Sequence, residues 1–265
     1  KADRIAPLWL KSALQTAREG AHFIRSIPQH PRLSECNRAI VDLNGMINKA
    51  ATALENFASC IESDLLPQAA GNFACGERHF SHILGFQHFL DINPDQLHKL
   101  GSELFDETAS RLREACMVLN GNDDIAGMSA KLAENHPAAE QLLDSYRKAM
   151  HEAHRYLVKN DIVSLPAVQN LAIMNTPVFL RHEIPIAAYH EPVPNDSKQQ
   201  AWYYVTPVSD AEQLGQHDYA SIKQTSVHEA WPGHHLQFVT ANMNPVARSL
   251  PRLLNPSATM YEGWA

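Results

Sequence analysis

The sequence predicts a mainly α-helical protein with a few short strands placed just before a histidine-rich helix. Three observations carry that class. Apolar residues recur at helical spacing through roughly the first 160 positions. Prolines then stand at 166, 177, 185, 192 and 194, where the pattern becomes irregular and short β-type runs enter. Helical spacing returns at about Tyr219 and continues through VHEAWPGHHLQF (Val227 to Phe238) to Asn242. The expected organisation is a helical domain over 1–160, followed over 161–265 by a proline-rich, short-strand segment with the histidine helix.

Taken in order, Leu8, Leu10, Leu14, Ala17, Ala21 and Ile24 mark a first helix. Ser34 is placed to cap a second, which runs through Ile40, Leu43, Ile47, Ala51, Leu54 and Ile61 and stops at Pro67. Gly71 and Gly76 bracket a turn, and a third helix over about 77–90 carries Phe80, Ile83, Leu84 and Phe86. Asn93-Pro94-Asp95 is a start signal, with proline at the first helical position. That helix continues through Leu97, Leu100, Leu104, Leu112 and Met117. A loop of Asn, Asp and Gly over 120–127 precedes another helical stretch to about Leu157. Residues 161–215 read as irregular chain with a few short strands, such as Leu171 to Met174 and Ala201 to Val208. Pro251 and Pro256 punctuate the loop before Tyr261-Glu262-Gly263-Trp264-Ala265.

Composition narrows the function classes. A net charge of -7 argues against nucleic acid as a partner, because phosphate binding needs a basic surface. No apolar run approaches the roughly 20 residues that cross a bilayer, and no secretory pattern opens the chain. The chain starts at Lys1 without a methionine and stops just after YEGWA, so it reads as a segment of a longer protein. Its compartment, cytoplasm or periplasm, stays open. The four cysteines, Cys36, Cys60, Cys75 and Cys116, form no CxxC pair and are expected as small buried hydrophobes.

The chemistry concentrates at His228-Glu229. A histidine at the start of a zinc helix supplies a neutral nitrogen ligand. The glutamate beside it points about 100° around the helix, where it can act as general base toward a water that the metal activates. A second ligand normally follows at i+4, on the same face. Here that position is Pro232, which lacks the amide for the carbonyl of residue 228 and crowds it with its ring. On a regular helix His234 faces roughly 240° away from His228, and His235 lies roughly 10 Å along the axis. A bulge absorbing two residues, eased by Gly233, would carry His234 to the missing i+4 place. Glu262, in a short segment that begins as a helix might, can supply a carboxylate. Two histidines and a glutamate leave one tetrahedral position open, the arrangement of catalytic zinc sites. Fifteen histidines also make chance clusters common. His151-Glu152-Ala153-His154 reads as a solvated helix face, as do His79 and His82. The other course for the whole protein is a non-catalytic helical binding module, its histidines packed as buried polar groups.

HEAWPGHHLQ followed by YEGWA resembles the bacterial domain-of-unknown-function 885 family, which is regarded as related to gluzincin-type zinc metallopeptidases. GNFACGERHFSHIL (Gly71 to Leu84) is similar to that family's glycine-bounded helix entry. NTPVFLRHEIPIAAYHEPVPND (Asn175 to Asp196) is similar to its proline-rich stretch, and AWYYVTP (Ala201 to Pro207) to the strand before the zinc helix. The resemblance covers roughly residues 70–265. It implies a multi-helix gluzincin-like array, of the carboxypeptidase and oligopeptidase type, enclosing a channel for short peptides. It implies one zinc ion held by His228, His234 and Glu262, with Glu229 as general base. His235 would lie behind the ligands or donate to the developing oxyanion, and His234 and His235 are able to exchange roles. Gln237 would orient a ligand. Tyr189, Tyr203, Tyr204 and Tyr261 are oxyanion donors by type, and Trp231 and Trp264 are packing around the site. The family's proteins continue well past EGWA, so the C-terminal remainder is an expected partner of this segment.

Overall fold

The computed structural model describes residues 2–30, 33, 42–250, 254 and 258–265. Ser34, Cys36, Ile40, Pro251 and Pro256 lie outside the described residues. The protein is mainly helical with one small three-stranded sheet. It divides into two compact units: Lys1–Cys75 with Thr176–Pro185, and Gly76–Asn175 with Ile186–Ala265. The compositional break near 160 is where helix gives way to strand, but contacts divide the chain elsewhere. The proline-rich return segment joins the first unit through Phe179, whose ring lies 5.1 Å from that of Phe23, and through His182, which bonds Thr16.

In the first unit, α1 (Pro7–Ser26) opens with proline at its first turn, where no amide partner is needed. It packs on α2 (Leu43–Cys60) along Leu10, Ala17 and Ala21 on one side and Ile47, Ala51 and Ala58 on the other. Asp42 caps α2 by accepting from the Gly45 amide. The helix then widens into a π-type turn over Ile61–Leu65 and a 3-10 turn holding Pro67.

The second unit begins with α3 (Glu77–Phe86), shorter than the 77–90 expected because Phe89 takes a left-handed backbone (φ 56°). Helix α4 (Pro94–Asn120) starts in a full capping box between Asn93 and Gln96 and stops at Gly121, φ 74°. Helix α5 (Ile125–Ala133) is capped by Asp124. Helix α6 (Leu142–Asn160) buries Leu142, Tyr146, Ala149, Met150 and Leu157 at helical spacing. Cys116 is buried as expected, whereas Cys60 and Cys75 are exposed: helical periodicity sets which residues share a face, not which face a neighbour covers.

Strands β1 (Asn170–Asn175), β2 (Ala187–His190) and β3 (Gln200–Val205) form a sheet of order β1-β3-β2, with β1 parallel and β2 antiparallel to β3. On β3, Ala201, Tyr203 and Val205 alternate inward, and Tyr203 and Val205 join Tyr146 of α6 with Ile222, Trp231 and Leu236 in one core. β3 ends at Val205, not at Val208, since Pro207 has no amide to continue the ladder. The four-residue β2, set between prolines, is one more of the few short strands expected here, whereas the short α7 (Ala211–Gly215), capped by Asp210, arises in chain expected to be irregular. Among the described residues no helix is long and apolar enough to cross a membrane.

Candidate metal centre

Helix α8 (Tyr219–Glu229) is started by Asp218, whose carboxylate accepts from the amides of Ala220 and Ser221. It stops at Glu229. Ala230 and Trp231 both donate to the Ser226 carbonyl, at 3.1 and 3.3 Å. Pro232 has no amide to give, and its peptide with Trp231 is cis. Gly233 turns back to the Val227 carbonyl at 3.0 Å. Helix α9 (His234–Asn242) then begins at once. The single distorted helix expected across 219–242 is therefore two helices, because a proline and a backbone fold-back end the ladder outright rather than bulging it.

The fold-back is tight enough to require glycine. A Cβ on residue 233 would lie 1.7 Å from the His228 oxygen and 2.4 Å from its carbonyl carbon. The first turn of α9 thus rests on the last turn of α8, and the rings of His228 and His234 come to 4.6 Å between centroids. Helix α10 (Ala258–Trp264) brings the carboxylate. Glu262 Oε2 lies 3.6 Å from Nε2 of His228 and 3.6 Å from Nε2 of His234. One ligand atom from each of the three residues falls within 4.8 Å of the others. The Trp264 indole donates to the Pro232 carbonyl at 2.7 Å, so α10 is tied to the break itself.

His234 is 9% exposed, His228 39% and Glu262 56%, which leaves the cluster open on one side. Burial, partly offset by Glu262, lowers the His234 pKa and favours neutral imidazole. Its Nδ1 has no hydrogen-bond partner among the described residues, and neither has Gln237 Oε1, three positions on. The two do not bond each other, so the orienting bond expected of Gln237 is not made here.

Glu229 sits beside this cluster. Burial pushes its carboxyl up to about 7, the Tyr189 backbone amide pulls it down, and the nearby Glu262 carboxylate adds to the rise. His235 is fully buried. Its Nδ1 meets the Tyr189 hydroxyl at 3.2 Å and its Nε2 meets Gln169 Oε1 at 3.0 Å. Burial, and then His154, hold its pKa near about 3. Both nitrogens of His235 are engaged, and it is not among the three residues that converge.

Of the four tyrosines considered, Tyr189 and Tyr261 border the cluster, each with its ring 6.1 Å from that of His234. Tyr203 is core, its hydroxyl 3.4 Å from Ser226 Oγ, and Tyr204 alternates to the opposite face of the sheet. Trp231 is buried packing between His235, at 4.7 Å, and His154, at 4.9 Å. His154 is therefore not on a solvated face: it is partly buried against an indole that no local spacing could announce, while His151, His79 and His82 are exposed as expected. Gln169 carried no signal at all in the sequence, since an isolated glutamine before a short strand resembles any loop residue.

Fold and site together define a mainly helical protein whose two imidazoles and one carboxylate meet at a helix break. The chain belongs to the family described as bacterial protein of unknown function (DUF885), whose sequence profile matches residues 9–265. Among curated proteins none matches. A lipoprotein candidate from Colwellia psychrerythraea is similar in structure, with a TM-score of 0.67 at 17% identity over 86% of this chain and 41% of that one. A lipoprotein candidate of unknown function from Shewanella oneidensis gives a TM-score of 0.58 at 21% identity over 88% of this chain and 45% of that one. At such identities the likeness is one of fold, and this chain spans less than half the length of either.

Proposed function

We propose that this chain carries the metal centre of a zinc-dependent metallopeptidase, gluzincin-like in its helical array, that hydrolyses short peptides. The observation that carries the reading is the convergence of His228, His234 and Glu262 within 4.8 Å. The donor set fits zinc: two imidazole nitrogens and one carboxylate oxygen, with an open side. Ligand atoms about 2.0 to 2.1 Å from one tetrahedral ion lie roughly 3.3 Å apart, and the two His–Glu separations here are 3.6 Å. A ligating imidazole must be unprotonated, and burial favours that form of His234. When bound, zinc would polarise a substrate carbonyl and lower the pKa of water to about 7.

The chain's own residues supply the rest. Glu229, with a carboxyl balanced near about 7, is suited to take a proton from the attacking water and pass it to the leaving amine. The edge strand β2 supports a peptide as the substrate. Thr206 donates to the Ile186 carbonyl, which makes 186 and 206 a hydrogen-bonded pair. By alternation the backbone groups of Ala187 and Tyr189 point away from β3, on the side of the Glu229 carboxylate. An extended peptide laid along that edge would present its backbone beside the base.

In the full-length protein, Glu229→Gln is expected to abolish peptide hydrolysis while about one equivalent of zinc stays bound. Hydrolysis that survives the change refutes the mechanism. A wild-type protein without zinc returns the chain to a non-catalytic binding module.

A further inference from the structure

We propose that Tyr189 is a positioning residue that holds both the base and one imidazole of the cluster, and that Gln169 keeps it in place through His235. This deepens the metallopeptidase reading and rests on it.

Three parts of Tyr189 face three different groups. Its backbone amide is directed away from β3, on the side of the Glu229 carboxylate. Its ring lies 6.1 Å from that of His234 at an interplanar angle of 23°, covering one face of the imidazole. Its hydroxyl meets His235 Nδ1 at 3.2 Å. The direction of this last bond follows from Gln169. An amide oxygen only accepts, so the 3.0 Å contact from Gln169 Oε1 requires the proton on Nε2 of His235. A fully buried imidazole between a carboxamide and a phenol stays neutral. Nδ1 is then an acceptor, and the Tyr189 hydroxyl donates inward to it. That proton is spent on holding the side chain and is not offered to a developing oxyanion.

The physical need for the anchor lies in two carboxylates. Glu229 follows the ligand His228 directly in the chain, and Glu262 already stands in the cluster. A Glu229 carboxylate no longer drawn to the Tyr189 amide would be free to swing onto a cation in the cluster and become a fourth protein ligand. The relay from Gln169 through His235 to Tyr189 fixes the strand segment that prevents this. Gln169 lies immediately before β1, Tyr189 on β2 and His235 on α9, so the relay joins three elements remote in sequence.

The test uses full-length protein loaded with zinc or cobalt. Tyr189→Phe keeps the ring and the amide but frees the side chain; Gln169→Leu removes the acceptor that sets the tautomer; Gln169→Glu restores an acceptor. Zinc Kd, from chelator competition, is expected to fall about 10-fold in the first two, because the Glu229 carboxylate adds a fourth protein ligand. The visible absorption of the cobalt form should weaken toward a five-coordinate spectrum as Glu229 enters. Gln169→Glu should return both readouts toward wild type, which a merely structural loss would not do. Tyr189→Phe carries the test if Gln169→Leu fails to fold. Wild-type affinity and spectrum in Tyr189→Phe overturn this inference alone. A wild-type protein that binds no zinc overturns the metal reading beneath it.

Discussion

Replacing Gly233 with alanine tests the geometry on which the site depends. The added Cβ would lie 1.7 Å from the His228 carbonyl oxygen and 2.6 Å from that of Val227. Carbon and oxygen rest at roughly 3.2 to 3.5 Å, since dispersion contacts are optimal near that range. The overlap is therefore about 1.5 Å, and every atom concerned is backbone, so no rotamer relieves it. The first turn of α9 has to lift off the last turn of α8. Overpacking ordinarily costs about 1 to 3 kcal/mol, and a backbone-on-backbone clash belongs at about 3 or above. At roughly 2 to 4 °C per kcal/mol for a chain of this size, Tm should fall by about 6 to 12 °C. Lifting α9 also carries His234 away from His228, so zinc affinity should fall with it. Thermal unfolding followed by circular dichroism reads the first effect and chelator competition the second. Gly101→Ala is the control: nothing lies within 4 Å of a Cβ there, in the middle of α4, and the change should be neutral or stabilising by up to about 1 kcal/mol. A Gly233→Ala protein that melts with the wild type and binds zinc equally well would refute the reasoning.

Other outcomes follow from the same site and core. In metal-free protein, Glu229 ionises at about 7 when folded but at about 4.5 when unfolded, so the folded state keeps its proton longer. Stability should fall as pH rises through that window, by about 3 kcal/mol in total. Glu229→Gln removes the effect, and its advantage over wild type in urea unfolding with chelator present should grow from pH 5 to pH 8; a constant gap contradicts the assignment. Tyr146→Phe deprives the buried His217 Nδ1 of a 2.9 Å bond. It should cost about 1 to 3 kcal/mol in urea unfolding and leave zinc affinity unchanged. Asn93→Ala breaks the capping box of α4 and should cost about 1 kcal/mol, visible as a lower unfolding midpoint.

Local signals were legible wherever chemistry and geometry are set within a few residues. Asn93-Pro94 starts α4 through a side-chain cap and a missing amide, and the Asn, Asp and Gly loop over 120–127 stops it where Gly121 takes a positive φ; neither needs a partner elsewhere. Helical spacing found α1 and α4 for the same reason, whereas the one helical stretch expected to about Leu157 is two helices, α5 and α6. The pair His228-Glu229, the obstruction at Pro232 and the permissive Gly233 likewise stood in one short stretch, so a bulge there and a late second imidazole could be argued from helix geometry.

What spacing could not supply was the neighbour on the far side of each face. Whether the helix bulged or ended depended on Gly233 finding the Val227 carbonyl, and on Trp264 reaching from α10 to Pro232. The four-residue β2 forms because β3 offers it a ladder, not because AAYH prefers to be extended. His235 looks in sequence as eligible as His234; only burial against Trp231, with Tyr189 and Gln169 on its two nitrogens, keeps it out of the cluster. Thus the sequence by itself determined most of the helices, the distortion at Pro232 and the chemical groups available. Tertiary structure alone decided which groups meet and which are sealed away, because convergence and burial depend on residues brought together across some hundred positions of chain, a separation that no local pattern encodes.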